Sequence, residues 1–293
     1  SQRGAISRFK IRWGDFMDRE EAVRNIYTFE DTLALYFSNR EIQKSVEFSK
    51  ENIKRYVHND CHPKLPSASK NGQILFTAED SLRAAIQFCS AKTAVLDFAS
   101  AIRPGGGVIM GARGQEEDLC RCTSLYFVLN SDEVKDCYYK KNQTDASLIA
   151  RSDCLYIPKV QILKAENSLW KRLPENQRMF IDIIVGSAPN LRSKDLQLSN
   201  EELLVYHEKR AQAIFMSAID NDVSNLVLGA FGCGAFRNPP EVVAAAYEQV
   251  IPQYKHYFDN IIFAVKCNSS EEPNYKVFSQ MVLNLGGTVI DAF

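Results

Sequence analysis

The chain has 293 residues, of which 45% are hydrophobic and 24% are charged. Its 35 lysines and arginines balance 36 aspartates and glutamates, which leaves a formal net charge of −1. This balance argues against a protein that binds nucleic acid or acidic membranes through a general positive field, so a polyanionic ligand must be held by local donors. The length allows one large domain or two small ones.

The eight cysteines are scattered along the chain, and none stands in a Cys-x-x-Cys pair. Because no signal-peptide pattern is present, we expect reduced thiols and not disulfides. No apolar run approaches the length of a membrane span. These features predict a soluble protein of the cytoplasm, or of the nucleus if the source is a eukaryote.

The N-terminal part of the chain has helical periodicity. Charged and apolar residues are interleaved at helical spacing over residues 18–26 and 40–57, and neither stretch contains proline or glycine. A segment with two prolines follows, over residues 58–66. We predict an N-terminal helical extension over residues 1–70, packed on a core formed by residues 71–293.

Beyond residue 70, strand-like apolar runs alternate with helical patterns. Strands are predicted over residues 74–77, 93–98, 180–185, 225–231 and 260–265, and helices over residues 78–90, 199–220, 239–249 and 275–283. The longest helix opens on a capping box, Ser199 to Glu202. The alternation predicts an α/β fold with a largely parallel sheet. Residues 131–175 fit it poorly and are predicted to form an insertion or an added hairpin.

Three polar or glycine-rich segments follow predicted strands, over residues 98–117, 187–190 and 229–239. Ligands of open α/β sheets bind at the carboxyl ends of strands, so one rim can bring these segments together. The standard nucleotide fingerprints fail, because Ala112 and Arg113 stand where a Walker loop has Gly-Lys. A kinase, a P-loop ATPase and an ordinary dehydrogenase are therefore not expected.

The most informative feature is the run Gly105–Gly107, which is followed after seven residues by Gln115–Glu117. Three glycines indicate backbone that curls or approaches another group closely, and free N–H groups in such a curl bind anions. Two glutamates beside the curl can transfer protons. The alternatives are a flexible connection and the charged first turn of a helix.

The second glycine loop contains Gly232 and Gly234 and leads into a helix that opens on proline. This position suits backbone amides that contact a diphosphate, and the alternative is a tight turn between strand and helix. A nucleophilic cysteine would need a His or Asn partner, and the sequence indicates none for Cys233. It is therefore expected to be a small buried residue. A second cluster, formed by His58, Cys61 and His62, lacks the fourth ligand of a structural zinc site, so no metal is expected there.

Taken together, residues 95–107, 111–112 and 115–117 resemble the signature of poly(ADP-ribose) glycohydrolases, whose catalytic domain is a macrodomain. The bacterial-type branch is matched further by segments at residues 124–126, 187–190 and 229–236. The resemblance covers roughly residues 70–290 and implies a three-layer α-β-α macrodomain with a mixed, largely parallel sheet and an N-terminal helical extension.

Three features depart from the bacterial-type pattern. Asp97 stands where that branch has Asn, although animal-type enzymes carry Asp there. Arg113 and Gly114 occupy spacer positions that often hold other residues. Residues 131–175 are less well matched.

The resemblance implies hydrolysis of the ribose–ribose O-glycosidic bond between ADP-ribose units, with no cofactor and no metal. It makes Glu117 the general acid and base, and Glu116 a residue that helps to hold ribose hydroxyls. A protonated Glu117 is then needed, and we expect repulsion from Asp97 to raise the pKa of Glu117. The implied ligand-binding residues are Asp97, Ser100, Gly105, Gly106, Gly107, Gln115, Gly232, Cys233, Gly234, Ala235, Phe236 and, for the adenine, Glu79.

We expect a monomer that acts on poly(ADP-ribose) or on ADP-ribosylated proteins, releases ADP-ribose, and neither reads nucleic acid directly nor binds a membrane. Two alternatives stay open: a hydrolase that removes single ADP-ribose groups from proteins, and a non-catalytic reader of ADP-ribose. The intact pair of Glu116 and Glu117 argues against a reader, because binding alone does not need a proton donor.

Overall fold

In a computed structural model, the protein is described over residues 19–56, 67–144, 153–165, 171–193 and 196–290. Within these ranges the strands are β1 (Lys54–Tyr56), β2 (Gln73–Thr77), β3 (Thr93–Phe98), β4 (Cys154–Gln161), β5 (Phe180–Gly186), β6 (Asn225–Leu228), β7 (Asn260–Ala264) and β8 (Thr288–Val289). The helices are α1 (Arg19–Ser38), α2 (Arg40–Glu51), α3 (Ser81–Phe88), α4 (Gln115–Cys122), α5 (Leu125–Leu129), α6 (Asp132–Val134), α7 (Lys140–Gln143), α8 (Asn200–Asp220), α9 (Pro240–Tyr254) and α10 (Pro273–Asn284). A π-helix spans Lys135–Tyr139, and 3-10 turns span Val108–Met110, Glu175–Gln177 and Lys255–Tyr257.

The eight described strands form one sheet in the order β1-β4-β5-β3-β6-β7-β2-β8. The pairings of β4 with β1 and with β5 are antiparallel, and the other pairings are parallel. The predicted mixed, largely parallel sheet is therefore confirmed. Strand β3 lies near the centre, which explains why its sequence is an almost continuous apolar run.

Helices cover both faces of the sheet. Successive strand residues point to opposite faces, so neighbouring residues of one strand show which helices pack on each face. Leu96 belongs to the core cluster that also contains residues of α8, α9 and α10. Its neighbour Val95 belongs to a second cluster, with residues of α3, α4 and α5. The predicted three-layer α-β-α arrangement is confirmed.

Residues 131–175 contain strand β4, which pairs antiparallel with β1 and with the next strand, β5, so the sheet favours the alternative of an added hairpin. The poor fit of this stretch to the strand pattern has its reason in Pro158 and Lys159. The register of β4 shifts between Ile157 and Val160, and Lys159 has a positive φ of 56°. This bulge breaks the strand pattern that the sequence would otherwise show.

Helix α1 contacts elements that follow residue 70. Helix α1 packs on α4 and on the turn Val108–Met110, and Asn25 of α1 donates a hydrogen bond to the carbonyl of Gly111 (3.1 Å). The predicted second helix is shorter than expected, because the chain leaves α2 at Glu51 and enters the sheet as β1. The boundary near residue 70 stays a prediction, and His58, Cys61 and His62 lie outside the described residues.

The seven cysteines within the described ranges are all free thiols. Cys120 and Cys122 are fully buried near the end of α4. None of the helices described is both long enough and apolar enough to cross a membrane.

Candidate active site

Three loops meet at one rim of the sheet. Strands β5, β3 and β6 are adjacent and parallel, so their carboxyl ends lie at the same edge. The loops that follow them are the three segments that the sequence placed there. The pairing of β3 with β6 stops at Val95 and Val227, and the two strands then part. In open α/β sheets the ligand-binding crevice lies where neighbouring strands separate in this way, which here is between the first and the second glycine loop.

The first glycine loop wraps around the side chains of Glu116 and Glu117. Gly105 and Gly106 have left-handed φ angles of 65° and 57°, which favour glycine. A Cβ atom on Gly106 would lie 2.4 Å from Oε1 of Glu117 and 2.9 Å from Oε2 of Glu116. The N–H of Gly107 donates a hydrogen bond to Oε1 of Glu117 (2.9 Å). The glycines therefore let the backbone approach the carboxylate pair, as the sequence indicated.

Glu116 is buried, with 3% of its surface exposed. Its Oε2 accepts a hydrogen bond from the backbone N–H of Ser100 (2.8 Å). Burial raises the pKa of Glu116 well above its usual range, and the nearby charge of Asp97 adds to this effect. The structure thus brings Ser100 and Glu116 together.

Glu117 is half-buried and stands beside the glycine loop. Burial raises its pKa, while the Gly107 N–H and the charge of Arg121 act in the opposite direction. We expected repulsion from Asp97 to be the cause, and the structure corrects this. Burial raises the pKa of Asp97 well above its usual range, and the charge of Glu117 adds to this effect. A carboxyl group with a raised pKa can donate a proton near neutral pH.

Asp97 is fully buried, so it lies beneath the rim and not on its surface. This position differs from the ligand contact that the sequence predicted. As a residue of β3, Asp97 points to the same face of the sheet as Val95, under helix α4.

The side chain of Gln115 forms hydrogen bonds with the end of β3, beyond the point where β3 pairs with β6. Its Nε2 donates hydrogen bonds to the carbonyl of Leu96 (2.7 Å) and to Oγ of Ser81 (3.3 Å), and its Oε1 accepts one from the N–H of Phe98 (2.8 Å). These two backbone groups of β3 face the side on which β6 has turned away. Gln115 is therefore a positioning residue. The sequence predicted a contact with the ligand, but the amide of Gln115 is bonded within the protein.

We expect Gln115→Leu to lower the free energy of unfolding by about 2 kcal/mol, because two buried backbone groups lose their partner. Urea denaturation followed by circular dichroism measures this change. Gln197→Leu, in an open loop before α8, is the matched control and should leave the free energy of unfolding nearly unchanged. Equal effects of the two substitutions would show that the hydrogen bonds of Gln115 to β3 do not stabilise the fold.

The second glycine loop is tied to the loop after β5 by Asn238, a residue that the sequence did not single out. Asn238 donates hydrogen bonds to the carbonyls of Pro189 (2.8 Å) and Gly232 (3.0 Å), and its Oδ1 contacts Nε2 of the buried His207 (2.9 Å). Gly232 has a φ of 78°, and a Cβ there would lie 2.5 Å from Cβ of Ala188. The two loops are thus fixed against each other.

The tip of this loop is open. Gly234 and Ala235 are exposed, and a Cβ on Gly234 would meet no atom within 4 Å. Phe236 is half-buried against the core, and its carbonyl accepts a hydrogen bond from the N–H of Leu191 (3.0 Å). Burial raises the pKa of Cys233 to about 12, which fits a small buried residue and not a nucleophile.

Glu79 follows β2, which is separated from β6 by β7. It lies on the same edge of the sheet as the glycine loops, and its carboxylate is paired with Arg83 (3.0 Å). The predicted contact of Glu79 with adenine stays a prediction.

Arg121 is a further residue that the sequence did not reveal. It is fully buried, and it donates hydrogen bonds to the carbonyl of Ala112 (2.9 Å) and to Asp118 (2.7 Å). It therefore fastens the segment before α4, which includes Gly114, to the helix that carries Glu117. An arginine in an acidic helix gives no sequence signal for such a role, because most arginines are exposed.

Gly114 packs directly against the carboxylate. A Cβ there would lie 2.1 Å from Oε2 of Glu117, while the extended backbone of Gly114 tolerates any residue. We expect Gly114→Ala to displace Glu117 and to lower kcat about a hundredfold, with little loss of stability. Steady-state kinetics and urea denaturation measure the two effects.

Gly286→Ala provides the opposite pattern as a control. Its φ of 77° strains an alanine, but a Cβ there meets no atom within 4 Å. We expect a loss of about 1 kcal/mol in stability and unchanged kcat. If Gly114→Ala also lost stability and kept its kcat, the contact with Glu117 would not govern activity.

Comparison with known proteins identifies relatives of this site. Residues 30–165 match the family model described as the catalytic domain of microbial-type PARG. No curated protein sequence matches the chain. Among solved structures, poly(ADP-ribose) glycohydrolase from Thermomonospora curvata has a TM-score of 0.77 and 25% identity, over 88% of this chain and 98% of its own.

A second solved structure is more similar in sequence. Poly(ADP-ribose) glycohydrolase from Deinococcus radiodurans, in complex with ADP-ribose, has a TM-score of 0.73 and 30% identity, over 82% of this chain and 98% of its own. Both relatives match over nearly their full length. The chain belongs to the microbial-type poly(ADP-ribose) glycohydrolase family.

Proposed function

We propose that this protein hydrolyses the ribose–ribose O-glycosidic bond of poly(ADP-ribose) and releases ADP-ribose. The observation that carries this proposal is the position of Glu117, a half-buried carboxyl group with a raised pKa that the Gly107 N–H holds against the glycine loop. This group can give a proton to an oxygen atom bound above the loop.

Glycosidic bonds break through an oxocarbenium-like state, in which the leaving oxygen needs a proton. The carboxyl group of Glu117 donates its proton to the 2′ oxygen as the bond from that oxygen to the anomeric carbon breaks. A water molecule then attacks the anomeric carbon, and the carboxylate of Glu117 takes a proton from it. Glu117 thus returns to its protonated form, and atoms and charges balance over the cycle.

Glu116 orients the ribose in this proposal. Its Oε2 is fixed by the Ser100 N–H, so it can accept a hydroxyl hydrogen bond in one defined direction. The exposed backbone of Gly234 and Ala235 faces the crevice from the second loop and suits a diphosphate. Phe236 lies next to this tip in the sequence, and in this proposal its ring packs on the distal ribose.

Mass spectrometry of ADP-ribose released from purified poly(ADP-ribose) tests the proposal. A protein that carries single ADP-ribose groups serves as the second substrate. We expect release from the polymer at a rate well above that from the singly modified protein. Release only from the modified protein would identify a mono-ADP-ribosyl hydrolase, and retained binding of ADP-ribose without any release would identify a reader.

Three further properties are proposed with this function. The protein acts as a monomer in the cytoplasm, or in the nucleus of a eukaryote. Its N-terminal 70 residues serve as a supporting extension, which agrees with the ion pair between Glu21 of α1 and Arg113 in the spacer before α4 (3.1 Å). Sedimentation tests the monomeric state. Deletion of α1 tests the supporting role of the extension.

A further inference from the structure

A group of buried oxygen atoms lies beneath the catalytic carboxylates without hydrogen-bond partners. Within the described residues these are both carboxyl oxygens of Asp97, Oε1 of Glu116 and the hydroxyl of Tyr139. All three side chains are buried, with 0%, 3% and 1% of their surfaces exposed. Buried polar atoms are rarely left unpaired, so four of them in one region require a physical explanation.

The three residues come from different elements that pack together. Asp97 lies on β3, Glu116 on α4 and Tyr139 on the π-helix Lys135–Tyr139. They lie close together, since α4 contacts β3 and Tyr139 belongs to the same buried cluster as Val95 of β3 and Cys120 of α4. A π-helix is a rare irregularity that is frequent at functional sites.

The titratable groups around Asp97 are acids, phenols and a thiol. Glu116, Glu117 and Cys120 face it from α4, and Tyr138 and Tyr139 face it from the π-helix. Tyr138 is committed elsewhere, because its hydroxyl is bonded to Oγ of Ser187 (2.6 Å). Asp97 forms no ion pair within the part of the chain that the structure describes.

Two carboxylates cannot both be ionised in such a place, because burial and mutual repulsion act in the same direction. A carboxylic acid that keeps its proton carries one O–H donor and retains acceptor oxygens. The neutral form therefore supplies the donor that an unpaired Oε1 of Glu116 needs. A phenol such as Tyr139 can donate and accept in the same network.

We propose that Asp97 is a neutral carboxylic acid that, together with Tyr139, holds Glu116 in place through one internal water molecule. The water is needed because the oxygens concerned have no partner within direct hydrogen-bond distance. Asp97 is thus a positioning residue, and it acts on the ribose through Glu116. The direction of its pKa, raised well above the usual range by burial and by Glu117, agrees with this state.

The consequence is a site with low negative charge. The proposed substrate carries a diphosphate, which an ionised Asp97 and an ionised Glu116 would repel in a medium of low dielectric constant. With Asp97 neutral, the pair carries at most one negative charge, and Glu117 is the carboxyl group that changes charge during the reaction. This inference rests on the proposed function for its activity readout alone.

Infrared difference spectroscopy of the full protein without substrate tests the proposal directly. We expect carbonyl bands of protonated carboxylic acids near neutral pH, and we expect Asp97→Asn to remove a component that Glu117→Gln leaves in place. Asp153→Asn is the matched control, since Asp153 is also buried but is ion-paired with Arg55, and it should leave all these bands unchanged. A wild-type spectrum without such bands, or bands that are unchanged in Asp97→Asn, would overturn the proposal.

Kinetics provide the second readout. We expect Asp97→Leu to lower kcat by about ten- to a hundredfold, because Glu116 loses its partner, and we expect the conservative Asp97→Asn to restore most of this loss. Tyr139→Phe should weaken the network by about tenfold or less. Equal losses in Asp97→Asn and Asp97→Leu would show that a charged Asp97 is required. The infrared result decides the state of Asp97 even if the wild type hydrolyses no polymer.

Discussion

Replacement of Glu117 by glutamine is expected to lower kcat on poly(ADP-ribose) by about a hundred- to ten-thousandfold, the usual contribution of a general acid. The amide keeps the size of the side chain and can still meet the Gly107 N–H. It cannot give a proton to the leaving oxygen or take one from water. Binding of ADP-ribose should therefore persist, which calorimetry measures beside the rate of release.

Glu201 makes a well-matched control, because it also lies in the first turn of a helix. Its pKa is lowered, by its own backbone N–H and by Ser199, whereas burial raises the pKa of Glu117. Glu201→Gln should leave kcat unchanged. If Glu117→Gln kept the wild-type rate while folded, another group would have to supply the proton.

The pH profile separates the two forms of Glu117. The raised pKa means that the proton-donating form persists to higher pH than for an ordinary glutamate, and activity should fall as the pH rises through this pKa. Arg121 opposes the shift. We therefore expect Arg121→Met to move the falling limb to higher pH, provided that the variant folds, and a movement to lower pH would contradict the assignment of Glu117.

Local patterns predicted the elements that they determine themselves. Thr93–Phe98 is a strand with the predicted bounds, because a short apolar run near the centre of a sheet has no competing interpretation. Ser199 and Glu202 form the predicted capping box, since both partners lie within one helical turn. The meeting of three loops at one rim also followed from the sequence, because parallel strands place their carboxyl ends together.

Long-range partners could not be predicted in this way. Gln115 bonds to a strand that lies 17 and 19 residues earlier, and Asn238 reaches a loop 49 residues away. Both are ordinary polar residues whose partners depend on where β6 leaves β3. The cause of the raised pKa of Glu117 could not be predicted either, because it is burial by the folded chain and not the spacing from Asp97.

Asp97 also has a measurable effect on stability, and its sign follows from its raised pKa. The unfolded chain releases this proton near pH 4, and the folded protein keeps it to higher pH. Above pH 4 the folded state thus binds more protons, so the free energy of unfolding of the wild type decreases as the pH rises. The decrease contributed by Asp97 is at most about 1.4 kcal/mol per pH unit, and it ends when the pH passes the raised pKa.

Asp97→Asn removes this dependence and keeps the shape of the side chain. We expect the variant to become more stable relative to the wild type as the pH rises from about 5 to about 8, until the pH passes the raised pKa of Asp97. Urea denaturation across this range measures the difference. Asp31 behaves in the opposite way, since Arg172 lowers its pKa, so its stabilising contribution is complete above pH 4 and is lost only in acid.

Asp31→Asn should therefore lower stability by an amount that stays constant over the same pH range. A constant difference for Asp97→Asn as well would mean that Asp97 is ionised in the folded protein. The neutral acid would then be excluded, and Oε1 of Glu116 would need another hydrogen-bond donor. A growing difference would establish that the folded chain accepts a loss of stability at neutral pH to keep an uncharged carboxyl group beneath its catalytic site.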